Sequence, residues 1–128
     1  MGVTRFEELI GWQKSRELFK LIHDVTSKPP LKKDYSLRDQ MRRSSLSVMS
    51  NIAEGFDKGG DKEFVQFLFH AKGSCSELKS QLYAAADIGY LDQKDFKKIY
   101  DLVEEISRIL QGLVNAIKKR AETGHKFK

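Results

Sequence analysis

Arg42 and Arg43, with Arg38 one helical turn earlier and Lys32 and Lys33 just before it, are the residues of this chain best equipped to hold phosphate. A guanidinium presents a planar fork of donors that matches phosphate oxygens, and a lysine adds a mobile point charge. Interleaved with the two arginines is a second set of side chains. Gln40, Ser44, Ser47, Asn51 and Glu54 recur at a spacing of 4, 3, 4, 3. On a helix that spacing lines one stripe. A freely solvated face has no reason to keep register in small polar residues. One reading is therefore close packing against another helix, with Asn51 and Glu54 making specified hydrogen bonds. The other is an exposed edge built of mediocre helix formers.

The same helix favours the first reading. Leu37, Met41, Leu46, Val48, Met49, Ile52, Ala53 and Phe56 project over about half its circumference at 100° per residue. A surface helix of a lone bundle needs a narrower stripe, so the arc calls for a partner beyond the other helices. Together they predict a homo-oligomer, with Gln40, Ser44, Ser47, Asn51 and Glu54 at the subunit boundary.

Catalytic chemistry has little to stand on. No phosphate-cradling glycine loop, dinucleotide fingerprint or paired-cysteine metal site occurs. A di-iron centre in a helical bundle needs two Glu-x-x-His motifs, which the chain does not hold. No metal and no cofactor are expected. Cys75 falls on an apolar stripe and reads as a small core residue. One enzymatic alternative resembles the metal-independent RNases of the HEPN type, whose signature is Arg, four to six residues, then His. Arg16 and His23 fit with six between, and Arg120 and His125 with four. Such pairs arise easily by chance, and a solvated Arg and His is the simpler account.

The elements that must position these residues are helices. The pattern predicts four, over about 8–27, 36–55, 61–89 and 92–120. In the first, Leu18, Ile22 and Val25 form the main apolar line, with Trp12 and Phe19 a second edge. Pro29-Pro30 ends it, since neither can donate a helical hydrogen bond. Ser36 is the expected N-cap of the second helix and Gly55 its closing glycine. Asp61 is the expected N-cap of the third. Phe64, Leu68, Ala71, Cys75, Leu78, Leu82 and Ala85 then hold 4, 3 spacing as far as Gly89. From Asp92 the fourth helix places Phe96, Ile99, Val103, Ile106, Leu110, Leu113 and Ile117 on one line. Sustained spacing of this kind implies shallow, supercoiled packing.

Gly89-Tyr90-Leu91 is too short for anything but an antiparallel hairpin. No strand alternation is present. The fold class is therefore all-α, an antiparallel up-down-up-down four-helix bundle. It forms one domain over residues 1–120, followed by a basic C-terminal tail over 121–128.

The chain of 128 residues carries 23 basic and 18 acidic side chains. Residues 28–43 hold six basic groups against two acidic, and residues 118–128 hold five against one. The bundle topology sends these clusters to opposite poles. Two basic clusters on an otherwise slightly acidic body suggest an anionic partner such as RNA or DNA. Lysine and arginine at helix ends also suit the macrodipole, which is the competing account. A single cysteine, the absence of an apolar run of about 18 residues and acidic Glu7 and Glu8 near the start lead to the expectation of a cytoplasmic protein with no membrane partner.

Several blocks resemble one family. Phe6-Glu7-Glu8-Leu9-Ile10 with Trp12-Gln13-Lys14 is similar to its N-terminal pattern. Arg42-Arg43 followed by Ser50-Asn51-Ile52-Ala53-Glu54-Gly55 resembles its hallmark. Lys62-Glu63-Phe64, Gly73-Ser74, Ser76-Glu77-Leu78 and Asp87-Ile88-Gly89-Tyr90-Leu91 resemble its third helix and hairpin. The family is that of the four-helix bundle proteins encoded in intervening sequences of bacterial 23S rRNA genes. The resemblance implies a ring-like homopentamer. A related bundle is the accessory protein of diversity-generating retroelements, which works with a reverse transcriptase and nucleic acid. One departure is Met49, where related sequences usually carry Pro; Met should leave the helix straighter.

The leading expectation is a noncatalytic, homo-oligomeric protein of this type, pentameric as the resemblance implies, touching nucleic acid through Lys32, Lys33, Arg38, Arg42 and Arg43. The alternative is an accessory subunit that docks on a protein such as a reverse transcriptase.

Overall fold

The computed structural model describes residues 2–122. It contains α1 (Ile10–Thr26), α2 (Tyr35–Asp57), α3 (Asp61–Asp87) and α4 (Gln93–Glu122), with 3-10 turns at Phe6–Glu8 and Leu31–Lys33. Successive helices pack on one another and α4 closes against α1. This is the all-α, up-down-up-down four-helix bundle that the periodicity predicts. The α1–α2 connection and the α3–α4 hairpin share one end. The α2–α3 turn and the last turn of α4 share the other. Residues 123–128, most of the basic tail, lie outside the described residues.

The core follows the apolar lines. Leu18 and Ile22 of α1 are fully buried, as are Met41, Val48 and Ile52 of α2, with Phe56 at 1 % exposure. All seven residues of the α3 line are buried. Phe56 and Phe64 meet edge to face at 5.7 Å. Each such side chain removed from water contributes roughly 1.5–3 kcal/mol before entropy is charged against it. On α4 the line shifts. Val114 is fully buried, whereas Leu113 is only half-buried. A helix of 3.6 residues per turn drifts by about 20° per heptad against a 3.5 repeat, and the core takes up the drift by moving from 113 to 114.

The helix ends depart from the sequence expectation in three places. Asp34, not Ser36, caps α2: its Oδ1 accepts from the backbone N–H of Leu37 at 3.2 Å. The 3-10 turn at Leu31–Lys33 brings the chain straight into that position. Gly55 does not close α2, which runs on to Asp57. Gly55 is buried, and a Cβ there would lie 2.5 Å from Phe67 Cβ. It is glycine because α3 approaches closely. The left-handed residue beyond α2 is Gly59, at φ 93°. Asp61 is the first residue of α3, and Gly60 is its cap. The remaining signals agree. Gly89 has φ 81°, and Asp92 Oδ1 accepts from Asp95 N at 2.7 Å. α2 passes through Met49 unbroken.

Candidate functional site

The basic residues around the α1–α2 connection divide into two groups. Arg42 is half-buried and turned toward α1. Its Nε donates to Thr26 Oγ1 at 2.8 Å and its Nη2 to Ser27 Oγ at 3.0 Å. Those hydroxyls donate in turn to the last-turn carbonyls of α1, Thr26 to Ile22 O at 2.6 Å and Ser27 to His23 O at 2.7 Å. The unpaired carbonyls at a helix C-terminus carry partial negative charge, and Arg42 brings a cation to them through two hydroxyl relays. Arg38 is similarly engaged. Its Nη1 donates to Lys32 O at 3.0 Å, its Nε to Asp39 Oδ1 at 2.9 Å, and its guanidinium lies 4.8 Å from the Tyr35 ring centre.

Lys32, Lys33 and Arg43 form the second group, and all three are exposed. Arg43 stands at a polar cleft of about 230 Å³ between α2 and α3, lined also by Gln40, Ser44, Ser47, Glu77 and Gln81. Thus five basic residues chosen on sequence include two that hold the connection together and three that face outward.

The polar stripe of α2 finds its near partner in α3 of the same chain. Ser44 is 5 % exposed and Ser74 of α3 is 7 % exposed. Ser74 Oγ donates to Ser47 Oγ at 2.9 Å. Asn51 Nδ2 donates to Ser47 O at 2.9 Å and Ser47 Oγ at 3.0 Å, within its own helix. The small hydroxyls of Ser44, Ser47 and Ser74 therefore let α2 and α3 of one chain approach closely. Gln40 and Glu54 stay exposed. The broad apolar arc divides likewise. Met41, Val48, Ile52 and Phe56 enter the core. Leu37, Met49 and Ala53 are half-buried, and Leu46 is 47 % exposed.

The groups capable of catalysis are dispersed. Arg16 lies 5.7 Å from the Trp12 ring centre, and His23 sits 6.3 Å from Phe19. Arg120 lies in the last turn of α4, and its counterpart His125 lies outside the described residues. Cys75 is fully buried, and that burial pushes its thiol from 9.0 up to about 12, so it holds its proton. Among the described residues no group of three or more His, Cys, Asp or Glu could hold a metal ion. None of their helices is long and apolar enough to cross a membrane.

Two kinds of residue escape the sequence reading. Thr26 and Ser27 are ordinary helix-end residues until Arg42 is seen beside them, sixteen and fifteen positions away. The outer seam of α3 and α4 carries exposed rings among lysines. Phe69, Lys72, Lys79 and Tyr83 recur at helical spacing, a signal that the apolar line beside them conceals.

The fold has a solved counterpart. A protein of unknown function from Bacteroides thetaiotaomicron VPI-5482, assigned to the S23 ribosomal protein family, superposes with a TM-score of 0.76 at 20% identity, over 82% of this chain and 98% of that one. At that identity the likeness shows the fold alone. A comparison with curated proteins finds no match. Residues 7–112 match the family of 23S rRNA-intervening sequence proteins, spanning the blocks from Glu7 through the Arg42–Gly55 segment to α4, and the chain belongs to that family.

Proposed function

We propose that the protein is a noncatalytic, homo-oligomeric bundle, pentameric as the family resemblance implies, that associates with nucleic acid at the α1–α2 end. The observation that carries this reading is the outward placement of Lys32, Lys33 and Arg43 around a connection in which Arg38 and Arg42 are held by the fold. Arg38 and Arg42 offset the Asp39 carboxylate and the negative end of α1, so the outer three keep their charge available for phosphate. Leu46 supports assembly: it is a large exposed apolar side chain on the same helix as half-buried Met49 and Ala53. That edge of α2 is wider than the bundle consumes.

Binding of labelled RNA and DNA at rising salt tests the first half. Affinity should fall steeply, with a log–log slope of roughly 0.9 per neutralised phosphate on duplex DNA. Lys32→Glu, Lys33→Glu and Arg43→Glu together should abolish it, and undiminished binding would overturn the reading. Light scattering tests the second half. A multimer that Leu46→Asp dissociates supports it, and a monomeric parent protein would end it.

A further inference from the structure

The outer seam between α3 and α4 lies on the side of the bundle away from α1 and α2, and no interaction described above uses it. Phe69 and Tyr83, both on α3, are 43 % and 51 % exposed. At 1.5 Å per residue they stand roughly 21 Å apart along the helix. Lysines are placed among the rings. Lys118 Nζ lies 5.4 Å and Lys72 Nζ 5.8 Å from the Phe69 ring centre. Lys79 Nζ lies 5.6 Å from the ring of Tyr100, which itself contacts Tyr83 at 5.5 Å. Lys72 and Lys79 are steadied by Gln111 and Glu104 of α4. Beside Phe69 opens a groove of about 630 Å³ whose apolar wall includes Val65 and Ile117.

We propose that this seam binds an unpaired polynucleotide, with bases stacked on Phe69 and Tyr83 and phosphates on Lys72, Lys79 and Lys118. Each feature has a matching part in that ligand. Exposed rings spaced along a strand's path stack bases whatever their identity, here one near each end of the seam, and lysines between them track the backbone. The groove beside Phe69 is apolar within and has room for a base. Its lining mixes Asp61 and Glu63 with Lys62 and Lys118, so the base enters against the apolar wall while Lys118 takes the phosphate beside it. A duplex cannot use the seam, because its bases are stacked on one another and turned inward. The seam is about long enough for four nucleotides, the short end of the range for single-strand modules.

This proposal stands on a different face from Lys32, Lys33 and Arg43 and does not rest on them. The test is fluorescence anisotropy of the full chain with labelled oligouridylate, labelled oligothymidylate and a labelled duplex. Phe69→Leu with Tyr83→Leu keeps apolar bulk and removes the ring faces. Single-strand affinity should drop about tenfold per ring while duplex affinity holds. Lys118→Gln, at an exposed position, should weaken single-strand binding and reduce the salt slope by about 0.7. A parent protein that binds neither single strand would overturn the proposal. So would leucine variants that bind as the parent does, or a parallel loss for the duplex. Reversal of Lys32, Lys33 and Arg43 should leave the effect of the leucine variants intact.

Discussion

Arg42 Nε and Thr26 Oγ1 lie 2.8 Å apart, joining the second helix to the last turn of the first. Thr26 is fully buried, and its hydroxyl is committed both to Arg42 and to the carbonyl of Ile22. The contact turns an apparent member of a phosphate-binding cluster into a structural residue, and separates it from its neighbour Arg43.

That separation is measurable. Arg42→Ala should destabilise the protein by about 1.5–3 kcal/mol, the range for hydrogen bonds to a charged group, because Thr26 loses its partner in the interior. Arg43→Ala should change stability by less than about 0.5 kcal/mol, as exposed positions do. Arg42→Lys should recover only part of the loss, since an ammonium cannot span Thr26 and Ser27 with the same fork. Urea unfolding of the three variants checks the order.

Two glycines on neighbouring helices should respond in opposite directions. At Gly55 a Cβ would meet Phe67 at 2.5 Å, so Gly55→Ala should cost about 1–3 kcal/mol through overpacking. Gly73, within α3, has nothing within 4 Å of a built Cβ. Gly73→Ala should therefore stabilise by about 0.5–1 kcal/mol, the ordinary helix preference for alanine. Thermal melts of the two variants should move apart from the parent on either side.

The α2 cap gives a third pair. Asp34→Ala removes the acceptor of the Leu37 N–H and should cost about 1 kcal/mol. Ser36→Ala, at an exposed first-turn position, should cost nothing measurable. Equal losses in denaturant midpoint would contradict the assignment of the cap.

Cys75 predicts a pH dependence. Its thiol is raised from 9.0 to about 12 by burial. The folded state therefore keeps a proton that the unfolded chain releases above about 9. Stability from this group is complete below pH 9 and is lost progressively as pH rises toward 12. Cys75→Ala should lack that share of the decline when the two unfolding profiles are compared. In the native protein at neutral pH, a thiol reagent should label Cys75 only at the rate of unfolding.

Local regularity made much of the protein legible in its sequence. The α3 line from Phe64 to Ala85 repeats without interruption, and burial follows it at every position. The Gly89 hairpin is equally local, because three residues leave room for one arrangement. Of the stripe Gln40, Ser44, Ser47, Asn51 and Glu54, Ser44 and Ser47 pack closely, whereas Gln40 and Glu54 stay exposed. The spacing could not say against what, since a helix stripe carries no address. The structure supplies Ser74 of the same chain as the partner of Ser47.

Sequence alone determined the four helices, the apolar lines that join them and the family blocks, because each depends on spacing within a few turns. Tertiary structure decided which arginines face outward and why Gly55 is glycine. It decided where the α4 line gives way from Leu113 to Val114, and where Phe69 and Tyr83 meet lysines of the seam. These depend on what another helix places opposite a side chain. That is settled only when the helices dock, since a guanidinium beside a helix end and one beside water look the same along the chain.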